Sequence, residues 1–300
     1  MTAGAALCLA LLHSGDCYVP IVPPTENDLL YNPRLSVAGF QDILASGRRR
    51  SQAARARLDA YLDVAYGAGP DAKMDIFRAH GSSRGMLMFI HGGYWRAMDK
   101  SDYSYLAQEL VHAGMSVALP NHALCPKVTV RDIVMQMVQA AAWLHRNAGN
   151  FGAPPDRLYV AGHSAGGHLA AMLLACRWSD YAHDLPAKTV RGALSISGLY
   201  DLRALVDAPS INGDVRLDKR GAAAVSPALM QPATDAPLFT TVGSEENQGF
   251  HAQDRLIARR WRKVHKHTAA CAGAHHFSVL EGLLDPSSDL FRDTIALMEH

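Results

Sequence analysis

The chain has 300 residues, 49% of them hydrophobic, which supplies ample material for a buried core and argues against a disordered chain. Lysine and arginine total 29 against 28 acidic residues, so the net charge of +1 removes any general electrostatic case for binding nucleic acid or an anionic membrane. The five cysteines (Cys8, Cys17, Cys125, Cys176, Cys271) lack the spacing of a metal site or disulfide framework, and reduced thiols in a cytoplasmic protein are expected.

In chain order, "AALCLALL" (residues 5 to 12) resembles a short signal core but has no positive residue before it. Residues 1 to 30 are therefore read as a leader or extension, and 31 to 300 as a single domain. No run reaches the roughly 18 apolar residues of a membrane span. "SGRRRSQAARAR" (46 to 57) alternates basic residues with alanine and reads as a solvated helix face. From Met86 onward, strand-length apolar runs end at turn or polar residues. They are 86–90, 115–120, 157–162, 190–197, 237–243 and 266–273. Helical periodicity occupies 127–149, with Val130, Ile133, Val134, Met137, Val138, Ala141 and Leu144 on one stripe, and recurs at 253–264 and 289–299. Alternating strands and helices predict a doubly wound, mostly parallel α/β sheet flanked by helices, with its chemistry at the carboxyl ends of the strands. The segment 203–236 is rich in small and turn-forming residues and is read as a small cap-like insertion.

Gly162-His163-Ser164-Ala165-Gly166 fits G-x-S-x-G between a strand and a helix. In that context the serine sits on a sharp turn that lifts its hydroxyl above the sheet, and the Ala165 amide can donate to an oxyanion. A plain glycine turn would have the same letters; "FIHGGYW" (89 to 95) decides for chemistry. Its Gly93 and Tyr94 amides would complete an oxyanion hole, Gly92 would permit the bend, and His91 would brace the loop. A serine needs a base, and the base needs an acid to orient it, in the chain order serine, acid, histidine. "AGAHHF" offers His275 and His276, of which His276 is preferred. "VGSEENQGF" offers Glu246 first and Glu245 second, with Asp201 or Asp207 as more distant candidates.

With these motifs together, the chain resembles α/β-hydrolases of the kynurenine formamidase (arylformamidase) and carboxylesterase group. The resemblance rests on "YNPR" (31–34), "LDVAYGAGPDAKMDIFRA" (62–79, an early strand region), "HGGYW", "ALCP" (123–126), "GHSAGGHLA", "SGLYDL" (197–202), "VGSEENQGF" and "HHF". It implies Ser164 as nucleophile, His276 as base and Glu246 as acid, Glu246 standing four residues before Phe250. It departs at His275, where relatives commonly carry asparagine. The implied activity is acyl-enzyme hydrolysis of a small ester or amide without a metal or organic cofactor, with N-formylkynurenine as the best specific substrate. A short-acyl carboxylesterase, an aryl amidase or carbamate hydrolase, and a non-catalytic ligand-binding protein of the same fold are the alternatives. Tyr94, Trp95 and His163 are the expected substrate contacts, and a homodimer is the assembly the resemblance suggests.

Overall fold

The computed structural model describes residues 23–267 and 270–299. The apolar stretch 5–12, with Cys8 and Cys17, lies outside the described residues. Among the described residues, eight strands form one sheet: β1 Ala60–Ala65, β2 Lys73–Phe77, β3 Met86–Ile90, β4 Ser116–Pro120, β5 Leu158–His163, β6 Ala193–Ile196, β7 Leu238–Thr241 and β8 His265–His267. The order across the sheet is β1-β2-β4-β3-β5-β6-β7-β8. β1 and β2 pair antiparallel at one edge, and every pairing from β4 to β8 is parallel.

Helices cover both faces. They are α1 Glu26–Tyr31, α2 Phe40–Arg57, α3 Ala107–His112, α4 Val130–Asn147, α5 Ala165–Ala175, α6 Trp178–Tyr181, α7 Pro209–Val215, α8 Lys219–Ala224, α9 Gln248–Arg260 and α10 Asp289–Ala296. Among the described residues no helix is long and apolar enough to cross a membrane. Alternation along the central strands explains why their sequences are continuously apolar. Met86, Met88, Ile90 and Val160 face one core with α4 and α5, while Leu87, Phe89, Tyr159 and Ala161 face the other with α3 and α10.

All six expected strands are present. β3, β4 and β5 fall within a residue of their expected bounds, and the later three are shorter. β6 ends at Ile196 because Ser197 takes a positive φ of 52°, and β8 gives way to a single bridge between Gly243 and Cys271. α4 buries the expected stripe and is closed at its start by a Thr129–Asp132 capping box. α9 begins at Gln248, five residues before the expected start at 253, because Gly249 and Phe250 pack on α1. A Cβ at Gly249 would lie 2.4 Å from the Leu30 carbonyl oxygen.

A division after residue 30 falls inside α1, which is fastened to the rest of the chain by Thr25 to the Asp207 carbonyl (3.0 Å), Ser210 to Asp28 (2.6 Å) and Asn247 to the Leu29 carbonyl (2.7 Å). The segment 203–236 holds α7, α8 and two short 3-10 turns, and both α7 and the turn Leu202–Asp207 meet α1.

The basic run lies on α2, with Arg48, Arg49 and Arg50 exposed as expected. Arg55 turns inward to Asp75 on β2, whose carboxylate is fully buried. Asp75 also receives Lys100 Nζ (2.8 Å) and the Asp63 amide (2.9 Å), and Lys100 pairs in turn with Asp63 (2.8 Å). This network ties α2 to the antiparallel edge of the sheet and to the turn Lys100–Leu106. Removing one member of a buried ion network leaves the others uncompensated. Asp75→Ala is therefore expected to lower stability by about 3 kcal/mol or more. Arg48→Ala, which removes an exposed pair with Asp102 (3.2 Å), should cost at most about 1 kcal/mol. Urea midpoints of the two variants check this ordering, and equal midpoints would remove the network's structural role.

Candidate active site

β5 runs into α5 through Ser164, whose backbone is held at φ 57° and ψ −119°. Its amide donates to the Ile196 carbonyl (2.8 Å), so the turn is tied to the end of β6. Crowding explains the flanking glycines. A Cβ on Gly162 would lie 2.2 Å from the Gly166 oxygen, and one on Gly166 would lie 2.0 Å from the Ile90 oxygen. Only glycine lets α5 start this close to the ends of β3 and β5. Ala165 is the first residue of α5, with its amide at the open end of the helix.

Beyond Ile90 the chain makes an unusual turn. Gly93 (φ 104°), Tyr94 (φ 51°) and Trp95 (φ 56°) are consecutive positive-φ residues, and a Cβ at Gly93 would meet the Ala97 oxygen at 2.2 Å. The turn is closed by the Arg96 and Ala97 amides, both donating to the Gly93 carbonyl at 3.1 Å. Among the described residues, the amides of Gly93, Tyr94 and Ala165 donate to no protein group. His91 braces the loop as expected: its Nδ1 donates to the Gly92 carbonyl (2.8 Å) and its ring stacks on Tyr103 and His122.

His276 Nδ1 lies 2.6 Å from Glu246 Oε2. Burial alone would raise the Glu246 carboxyl. The His276 charge and hydrogen bonds from His276, the Ser197 hydroxyl and the Gly243 amide outweigh burial and hold it below its ordinary value. Both side chains are almost wholly buried, and the Phe250 ring packs 4.3 Å from the imidazole. Ser164 and His276 line one cavity of about 40 Å³ together with Gly93, Tyr94, Arg34 and Phe277.

Glu245 is exposed, with its amide on the Ala274 carbonyl, and takes no part in the pair. Asp201 is bound to Arg203 (2.6 Å), Asp207 is exposed, and His275 organises its own turn by accepting from the Phe277 and Ser278 amides. His163 reaches the cavity wall, and its Nε2 donates to the His276 carbonyl (2.8 Å). Burial, then the neighbouring His276 charge, lower the His163 imidazole to about 3. Tyr94 lines the cavity while its hydroxyl donates to the Tyr31 carbonyl.

Trp95 lies apart from the cavity. It is fully buried beneath the loop, edge-on to His168 at 5.1 Å, and does not line the cavity, so its expected substrate contact is withdrawn. Its position follows from the positive φ that turns it toward the core.

Sequence reasoning missed Ser197, which follows strand β6 and could have been found by the same strand-end rule that located the serine. It also missed the outer wall: Asn32 and Arg34 belong to "YNPR", to which no role was given, and Leu44 and Met98 come from segments that carry no local motif. No group of three or more metal-ligating side chains occurs among the described residues.

The signature of the BD-FAE family matches residues 74–244, more than half of the chain, including the Gly93 loop and the Ser164 turn. The chain belongs to the BD-FAE family. A provisionally assigned thioesterase from Silicibacter sp. TM1040 is similar over 92% of this BD-FAE chain and 99% of its own, at 34% identity and a TM-score of 0.80. A kynurenine formamidase of Salmo salar is 26% identical over 83% of the chain and 85% of its own length. Esterase B of Lactobacillus rhamnosus shares the fold at a TM-score of 0.66 and 15% identity, covering 89% of this chain and 96% of that one. The BD-FAE chain is thus an α/β-hydrolase and a serine hydrolase of the esterase and formamidase type.

Glycine to alanine inside a helix normally stabilises by about 1 kcal/mol. That gain is expected at Gly213 on α7, where an added Cβ meets nothing within 4 Å. Gly166→Ala should reverse the sign and lower the melting temperature, because the new Cβ strikes the Ile90 carbonyl. Thermal unfolding of both variants decides, and two stabilised proteins would contradict the crowding described for the turn.

Proposed function

We propose that this protein hydrolyses a small ester or amide through an acyl-enzyme on Ser164. The observation that carries the reading is the delivery of a carboxylate-bound imidazole and a strained serine to the wall of one cavity. Ser164 Oγ attacks the substrate carbonyl while its proton passes to His276 Nε2. Glu246 holds Nδ1–H, fixing the tautomer and offsetting the imidazolium charge. The oxyanion is received by the amides of Gly93, Tyr94 and Ala165, which have no competing acceptor among the described residues. The carbonyl carbon then releases the alcohol or amine, protonated by His276. Water, activated by the same base, cleaves the acyl-serine ester and restores the hydroxyl.

The cavity beside Ser164 is small, about 40 Å³, which favours a formyl or acetyl group over a long acyl chain. Together with the formamidase relative, this supports an arylformamidase acting on N-formylkynurenine as the specific form of the activity. The same machinery would cleave short-acyl esters, aryl amides or carbamates, and the 34% identical relative favours an acyl ester or thioester as the second reading.

Side-by-side hydrolysis of p-nitrophenyl acetate and N-formylkynurenine tests the assignment. Faster turnover of the formamide supports arylformamidase, and turnover of the ester alone supports the esterase reading. Ser164→Ala should lower either activity by about 10³-fold or more, and Glu246→Gln by about 10²- to 10⁴-fold. An active Ser164→Ala enzyme would remove the mechanism.

Glu246 also predicts a pH effect on stability. Its folded carboxyl lies below the ordinary value of 4.5, so its ion pair stabilises the fold above that value and is lost as pH falls through the lower folded one. Wild type should therefore lose more melting temperature on acidification below about pH 4.5 than Glu246→Gln does. Parallel melting curves for the two proteins would contradict the pair's contribution.

A further inference from the structure

Two guanidinium groups line the cavity that holds Ser164, and they are not equivalent. Arg96 is neutralised by Asp214 (2.6 Å). Arg34 has no carboxylate partner among the described residues; its guanidinium stands 5.7 Å over the Phe40 ring. Among the described residues, no carboxylate lines this cavity. Glu246 is shielded behind His276, and Asp102 lines an adjoining apolar lobe but is paired with Arg48. Arg34 is an exposed residue at the cavity mouth, and desolvation of its head, then the charge of Arg96, push its pKa down. Among the described residues no carboxylate compensates this cation.

Arg34 is also held in place. Asn32 Oδ1 accepts its amide (3.2 Å), while Asn32 Nδ2 donates to Ser210 (2.9 Å). Ser36 is tied to Asn247 (2.9 Å), and the Phe40 ring beneath the guanidinium stacks on Phe277 of the cavity wall (5.8 Å). With its backbone held and its head over the Phe40 ring, the planar guanidinium can bind a carboxylate through two hydrogen bonds.

We propose that Arg34 anchors a carboxylate of the substrate at the mouth of the Ser164 cavity, so that the preferred substrates are small esters or amides carrying a negative charge. This rests on the hydrolase reading above and narrows its substrate class. Arg34 acts as a specificity residue here and takes no part in bond breaking. The adjoining lobe, lined by Ile43, Leu44, Tyr105 and Leu280, would take an apolar part of the same molecule.

The test compares 4-acetoxybenzoate with the neutral 4-acetoxybenzamide, which differ only in the group that would meet Arg34. Wild type is expected to favour the carboxylate in kcat/KM. Arg34→Gln should lower the ratio of the two values about tenfold or more, chiefly through KM, with Arg34→Lys restoring part of it. Arg177→Gln, which removes a surface charge, should leave the ratio where it was, separating an anchor from a change in net charge. Raising the salt concentration should erode the preference in wild type and not in Arg34→Gln. A wild-type enzyme indifferent to the carboxylate, or a ratio unmoved by Arg34→Gln, would overturn the proposal. Should Arg34→Gln fail to fold, competition in wild type decides: benzoate must inhibit more tightly than benzamide. If wild type cleaves the benzamide ester without preferring the benzoate, only the anchor fails. If it cleaves neither these esters nor N-formylkynurenine, the hydrolase reading fails, and binding of benzoate by calorimetry still judges the anchor.

Discussion

Backbone pressed against backbone, where α5 meets the ends of β3 and β5, is the constraint from which the site follows. With Gly166 seated on the Ile90 carbonyl and Gly162 under the Gly166 carbonyl, there is no room for a relaxed connection. The strain falls on Ser164, at a positive φ that costs a β-carbon residue on the order of 1–3 kcal/mol. The buried packing of α5 against the sheet offsets that cost, since its residues from Ala165 to Leu174 are all buried. The same contact sets where β3 ends, and hence where the Gly93 loop begins. Serine and unpaired amides are therefore placed by one packing decision.

The second half of the site comes from farther along the sheet and is electrostatic. A buried carboxylate is tolerable only when its lone pairs are taken. Glu246 meets that condition with donors from three places: the His276 ring, the Ser197 hydroxyl and the Gly243 amide. Ser197, at the end of β6, and Gly243, just after β7, thus fix the acid, and the acid fixes the ring. The outer wall depends on different forces. α2 carries Leu44 and Gly47 toward the cleft and is clamped to the sheet edge by the Arg55–Asp75–Lys100 network.

What was legible in the sequence tracks how local its cause is. The parallel strands show because both faces are buried, and the Ser164 turn and Gly93 loop show because steric demands fall on adjacent residues. Glu246 is placed ahead of Glu245 in the sequence and favoured again by the resemblance; in the structure His276 faces Glu246 and not Glu245. β1 was harder to see, since it is an exposed edge with Tyr61 and Leu62 facing outward. Trp95 was misjudged because a tryptophan beside a site reads as a contact, whereas the backbone turn at Gly93–Trp95 sends it into the core. Arg34 and Leu44 carry no sign of their role, because it arises from α1 and α2 folding back over the strand ends.

The His163 ring gives the site a directional property. It stands 4.6 Å from His276 and is tied to that residue's carbonyl by its own N–H, yet no carboxylate among the described residues is bonded to it. Two imidazoles this close cannot both be cationic in a buried setting, and only one has an acid behind it. His163 therefore stays neutral across the physiological range and acts as a dielectric wall on the cleft side. A proton taken from the serine has a single resting place, so the two neighbouring histidines behave as one base with an uncharged companion instead of a pair sharing charge.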